Sequence, residues 1–197
     1  MRRSDRITSV VTAVSIAISF ALAGAAPATG RAAAPVSGAT GGLSAAQALD
    51  RLKALAGTWE GNIEGQEGGH ATLVYRVISG GSAVLETLFP GTDHEMVSIY
   101  TVEGNELRMV HYCALGNQPR FRLDRAASSG DTLAFVLDGG SGFDPKTDAH
   151  IHAGTLRMRG ADEMEAAWEY YRGGKTEGRH AMILARTAAA PAAKERL

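Results

Sequence analysis

The chain of 197 residues carries 20 Lys and Arg against 21 Asp and Glu, is 45% hydrophobic, and has a single cysteine. That length suits one domain with a sizeable core. The balanced charge, without a Lys/Arg-rich stretch, lacks the footprint of nucleic-acid or anionic-membrane binding, and one cysteine cannot form an internal disulfide, so a packed core has to hold the fold.

At the start of the chain, Arg2, Arg3 and Arg6 precede an uncharged run from Ile7 to Gly30, rich in Val, Ile and Ala. This layout predicts a secretory signal peptide, cleaved after Ala23, Ala25, Ala26 or Ala34, and so a protein exported to the periplasm or secreted. An uncleaved anchor is the alternative, because the run is long enough to span a bilayer; its many Ser, Thr, Gly and Ala residues, with Pro27, favour cleavage. No integral membrane segment remains after cleavage. The predicted organisation is a signal peptide and linker over 1–34, a flexible linker over 35–42, one folded domain over 43–187, and a disordered Ala/Pro tail over 188–197. Removing the first 35 residues takes away four arginines and Asp5, which leaves 16 basic and 20 acidic side chains, a net charge near −4.

The stretch "LSAAQALDRLKALAG", residues 43–57, predicts a short helix. Ser44 and Gln47 have the spacing of a capping box, Leu49, Leu52, Leu55 and Ala56 form an apolar stripe, and Gly57 ends it. Beyond Gly57 the apolar period changes from 3.6 to 2, with Gly-, Asn- and Asp-rich turns between short runs. Roughly ten strands are predicted, at 58–65, 71–78, 82–89, 94–102, 106–114, 119–125, 131–138, 150–159, 163–172 and 178–187. The fold class is therefore all-β: a single antiparallel up-and-down barrel of about ten strands, closed so that no edge is exposed, with the short helix closing its base.

The segment "LAGTWEG", a short helix followed by Gly-x-Trp at the start of the first strand, resembles the opening of calycin barrels. Those barrels tend to carry an arginine on the last strand over the tryptophan, and "MILART" supplies Arg186 here. The layout is most similar to the nitrobindin-like and fatty-acid-binding branches, and to bacterial exported proteins with stretches like "ETLFPGTDHEM" and "HYCALGNQPR". The resemblance covers about residues 43–187 and implies structural roles for Trp59 and Arg186. It also implies a lumen that takes a small ligand, with haem as the cofactor of the nitrobindin branch. Nitrobindins continue the first strand with further glycines and a Tyr-Pro, where this chain reads "GNIEGQEGG".

Side-chain direction follows from the charges, because an unpaired charge in a barrel lumen is costly. Placing Arg108 outside turns Leu107, Met109, His111 and Cys113 inward. Placing Arg157 and Arg159 outside turns His150, His152, Gly154, Leu156 and Met158 inward. Glu163, Glu165 and Glu169 outside leave Met164, Ala166, Trp168 and Tyr170 inside, and Arg179 outside leaves His180, Met182, Leu184 and Arg186 inside. An even alternation of strand directions then puts all six histidines near the end opposite Trp59. In "AVLETLF", Glu86 shares a face with Val84 and Leu88: lumenal if that face points in, solvated if Leu85, Thr87 and Phe89 do.

The predicted ligand contacts are Glu86, His111, Cys113, His152, Trp168 and Tyr170. His111 and Cys113, two apart on one face, would have Cβ atoms about 6–7 Å apart, too far for a thiolate–imidazolium pair. His111, His150 and His152 form a candidate set for a divalent metal such as zinc or iron. Two functional readings stay open: a binding protein for a small, partly apolar molecule, and an enzyme using the same histidines for metal or acid–base chemistry. A barrel filled by its own side chains would instead suit an interaction module. "GGSGFDPKTDAH", the longest connection, is placed at the mouth.

Overall fold

The structure is a computed structural model that describes residues 42–189. The predicted signal peptide of residues 1–34, its cleavage sites and most of the 35–42 linker lie outside the described residues. So does the tail from residue 190 onwards.

Helix α1 (Ala45–Ala54) starts where the capping box places it: Ser44 accepts from the Gln47 backbone, and the Gln47 side chain accepts from the Ser44 backbone. Ten strands follow, β1 (Gly57–Ile63), β2 (His70–Ile78), β3 (Ala83–Leu88), β4 (Met96–Glu103), β5 (Glu106–Tyr112), β6 (Gln118–Leu123), β7 (Thr132–Ser141), β8 (His150–Met158), β9 (Glu163–Arg172) and β10 (Lys175–Ala189). Each strand pairs antiparallel with its neighbours in sequence, and β1 pairs with β10 to close the barrel. This all-β, up-and-down barrel with one preceding helix is the predicted fold class. β10 runs two residues further than predicted, with Ala188 and Ala189 paired to Thr58 and Gly57, so the barrel takes the first residues of the expected tail.

Alternation sorts the side chains as the charges require. In β5, Leu107, Met109 and His111 are buried while Glu106 and Tyr112 are exposed. In β9, Met164, Ala166 and Trp168 are buried and Glu163 is exposed. Arg159 and Arg179 both pair with Glu165 on the outer wall, where such pairs contribute little to stability.

α1 lies across the ends of β2 to β5 and buries Ala45, Ala48, Leu49 and Leu52. Trp59 stands beside it, fully buried, and its indole N–H donates to Leu55 O at 2.7 Å. The Arg186 guanidinium lies 4.2 Å from the centre of the Trp59 ring and donates to the carbonyls of Ala54 and Ala56. Those carbonyls belong to the negative end of the helix, so one cation closes helix, ring and last strand together. Above this base, Tyr100, Phe121, Phe135 and Trp168 form an aromatic layer with ring separations of 5.7, 5.9 and 6.4 Å. The lumen is filled to that level and hollow above it.

Candidate functional site

The hollow end is a cavity of about 540 Å³. Leu88, Ile151 and Met182 give it apolar walls, and Glu86, Ser98, His111 and Trp168 supply the buried polar groups. Among the predicted contacts, Glu86, His111, Trp168 and Tyr170 lie on this cavity and Cys113 and His152 do not. His70, His94 and His180 line it as well, which puts four of the six histidines on its wall.

Glu86 is on the lumenal face, with Val84 and Leu88 buried beside it. Its carboxylate is fully buried and accepts from Tyr75 Oη at 2.5 Å and Tyr100 Oη at 2.8 Å. Burial pushes the Glu86 carboxyl above its ordinary range, against the pull of the Tyr75, Tyr100 and Ser98 hydroxyls. The same burial, reinforced by the adjacent carboxylate, holds both phenols well above theirs, so they stay protonated as donors. Sequence reasoning missed both tyrosines. A signal was present: Arg76 facing water turns Tyr75 inward beside Leu73.

Ser98 is the direct cross-strand neighbour of both Glu86 and His111, and its Oγ is 3.0 Å from His111 Nδ1. The arrangement is not a catalytic triad, because the carboxylate engages the tyrosines rather than the far nitrogen of the imidazole. That far nitrogen, Nε2, is buried without a hydrogen-bond partner among the described residues, and so is the indole N–H of Trp168. Both residues line the cavity. Trp168 lies against the bare backbone of Gly154, where a Cβ would fall 2.1 Å from the indole; only glycine leaves room for the ring.

No protein-family model and no curated protein matches this chain. Residue roles therefore rest on the geometry.

Two predicted contacts need correction. His152 is not lumenal, because a β-bulge in β8 between Ile151 and Ala153 inserts one extra residue against β9. Below the bulge Gly154 faces in opposite Trp168, as the charges predict; above it the parity is reversed and Ile151 takes the lumenal position. A bulge does this by construction, since it sets two residues against one. His152 stacks instead on Tyr171 at 3.9 Å, and its Nδ1 is 3.1 Å from His150 Nε2. His150 Nδ1 faces the carbonyl of Asp148 at 2.9 Å, so Nδ1 carries the proton and Nε2 accepts from His152. Phe143 packs on His150 with ring centres 4.9 Å apart, which anchors the long β7–β8 connection to β8. The set of His111, His150 and His152 is accordingly not assembled. Among the described residues no three His, Cys, Asp or Glu side chains come together as a metal-binding group.

Cys113 leaves the strand rather than extending it. β5 ends at Tyr112, and Cys113 opens a tight turn in which its N–H donates to Asn117 O and its carbonyl accepts from Gly116 N–H. Its thiol sits 4.0 Å from Met96 Sδ in an adjoining hollow of about 330 Å³ that shares Phe89, His94, Met96 and Tyr170 with the main cavity. Burial pushes this thiol up, opposed by the backbone N–H groups of Leu115 and Ala114. Since the thiolate is the nucleophile, labelling of the native protein at neutral pH should be slower than in denaturant and should accelerate as pH rises. Labelling at the unfolded rate would contradict this placement.

His111 gives a second expected result. Burial lowers its pKa from 6.5 to about 4, so the unfolded chain takes up a proton that the folded one refuses. The neutral ring therefore costs nothing at neutral pH, and stability falls as pH drops from about 6.5 to about 4. The shift corresponds to about 3 kcal/mol. Glu86, raised in the folded state, acts with the opposite sign, so the comparison is with His111→Phe. Denaturant titrations should show wild type losing about 3 kcal/mol more than that variant between neutral pH and about pH 4; parallel losses would mean His111 is not held neutral.

Proposed function

We propose that this chain is an exported barrel of the calycin type that binds a small, at least partly apolar molecule in the cavity above the aromatic layer. The observation that carries the reading is a hollow of about 540 Å³ with a mostly apolar wall that includes the few buried polar residues Glu86, Ser98 and His111. That volume falls in the usual range for small-molecule sites, and sparse polar groups in an apolar wall are how such sites orient a ligand. Trp59 under Arg186 beside the helix end supports the calycin reading, and the residue pattern of 1–34 supports export.

Titration with Nile red, an uncharged apolar dye, tests the binding reading. The expected result is saturable one-to-one binding with a blue-shifted emission, lost in Ile151→Trp, which fills the cavity, with thermal stability retained. Absence of binding, or equal binding by both proteins, would show that the cavity is not the site. A Soret band in the purified protein would replace this reading with the haem-binding one. Intact-mass measurement on exported protein tests export, the expected mature start being Gly24, Ala26, Pro27 or Pro35.

A further inference from the structure

The cavity shares a wall with the hollow beside Cys113, and the make-up of that wall bears on the shape of the ligand. Phe89 and His94 belong to the β3–β4 connection, Met96 opens β4 and Tyr170 lies on β9. Phe89, Met96 and Tyr170 are half-buried and His94 is exposed, so the division consists of side chains that the core does not lock. Methionine in particular, unbranched and with three rotatable bonds, adapts to what it packs against. Phe89 is held there against its own preference. Its φ of 51° is a left-handed backbone conformation, a genuine outlier for a bulky residue. Its N–H donates to Thr72 O at 2.9 Å, and its carbonyl accepts from the Thr92 N–H at 3.2 Å and from Thr92 Oγ1 at 2.8 Å. Strain fixed in this way gathers at ligand clamps.

The two ways out of the lumen differ in chemistry. On one side the rim presents the exposed polar side chains of Gln66, His70, Thr92 and His180. Past the shared wall, the adjoining hollow offers Leu115, Ala149 and Tyr171 together with Cys113. Leu115, 56% exposed, is the most exposed large apolar side chain among the described residues. An apolar chain leaving the lumen keeps its burial along the second route and loses it along the first. Along β9 the way from Trp168, in the aromatic floor, to Arg172 is four residues, about 13 Å. There Arg172 pairs with Glu177 at 3.5 Å, both of them exposed. From this we infer that the two hollows form one site for an unbranched amphiphile longer than the lumen. Its apolar end lies in the barrel, its chain passes between Phe89, Met96 and Tyr170 to cover Leu115 and Cys113, and its polar end stays in water beside Arg172 and Glu177. The inference rests on the lumenal-binding reading above and extends that site, with chain length as the property it selects.

The test uses 1-octanol, shorter than that span even when extended, and 1-dodecanol, which exceeds it, on the full-length exported protein. Both should displace bound Nile red. The Cys113 thiol then reports where the chain goes, since its reactivity depends on access. Saturating dodecanol should slow iodoacetamide labelling of Cys113 several-fold, and saturating octanol should leave the rate unchanged. Ala114→Trp alters an exposed turn residue that lines the adjoining hollow and not the main cavity. It should weaken dodecanol about ten-fold, the equivalent of about two uncovered methylenes, and leave octanol unchanged. Should Ala114→Trp fail to fold, the wild-type labelling rates still decide the point. Dodecanol that displaces Nile red without slowing the labelling leaves by the polar rim, which would overturn the inference while the lumenal site stands. So would equal protection by octanol, which would come from a tighter barrel rather than a covered thiol, or dodecanol affinity unchanged in Ala114→Trp. Failure of both alcohols to displace Nile red would overturn it too, whereas failure of Nile red itself to bind would remove the underlying reading.

Discussion

Replacing Trp59 by alanine should destabilise the barrel by about 3–5 kcal/mol, the range for deleting a large buried aromatic side chain. The ring is fully buried and touches three elements at once: the end of α1 through its bond to Leu55 O, β10 through Arg186, and β2 through its pairing with Leu73. Its removal also withdraws the aromatic face from a guanidinium whose remaining partners are carbonyls and Asp162. Trp59→Phe separates the contributions. It keeps an aromatic surface under Arg186 and loses only the N–H bond and part of the volume, so it should cost markedly less. Urea denaturation of both variants measures the difference. A loss below about 1 kcal/mol for Trp59→Ala would mean that the base repacks freely and that the Trp–Arg arrangement is incidental.

Glu86→Ala should be nearly as damaging, at about 2–6 kcal/mol. The reasoning is one of unmet donors rather than lost volume: Tyr75 and Tyr100 are fully buried and both hydroxyls donate to this carboxylate. Without it two donors are stranded, each costing about 1–3 kcal/mol. Restoring the balance by removing the donors tests the mechanism. In a Tyr75→Phe, Tyr100→Phe background the same Glu86→Ala change should cost far less, because nothing is left unpaired. If the cost is the same in both backgrounds, the hydrogen bonds are not what makes Glu86 structural.

How far the site could be read in advance depended on the residue. His111, Trp168 and Tyr170 follow from strand parity, since Arg108 and the glutamates of β9 settle which face is wet. Glu86 was undecided because its strand, "AVLETLF", offers no second charge to fix the parity; the tyrosines across the ladder settle it. His152 was misplaced because parity was carried unbroken through β8, and a bulge of one residue reverses every side chain beyond it. Cys113 was misplaced by two residues of strand length, the turn through Asn117 having begun earlier than the alternation suggested.

The sequence by itself determined what depends on neighbours in the chain. Capping residues, apolar period and turn glycines are local, and they sufficed for one helix and about ten antiparallel strands in an up-and-down barrel, while Arg186 over Trp59 was an expectation from the resemblance to calycin barrels. The tertiary structure alone decided what depends on residues far apart in the chain. A bulge arises from the fit between two strands rather than within one, so the positions of His150 and His152 waited on the register of β8 against β9. The burial of Glu86 depended on hydroxyls from β2 and β4 to satisfy it. Whether the barrel was filled or hollow turned on how far the aromatic layer of four different strands reached up the lumen, because packing volume is a property of the assembled interior.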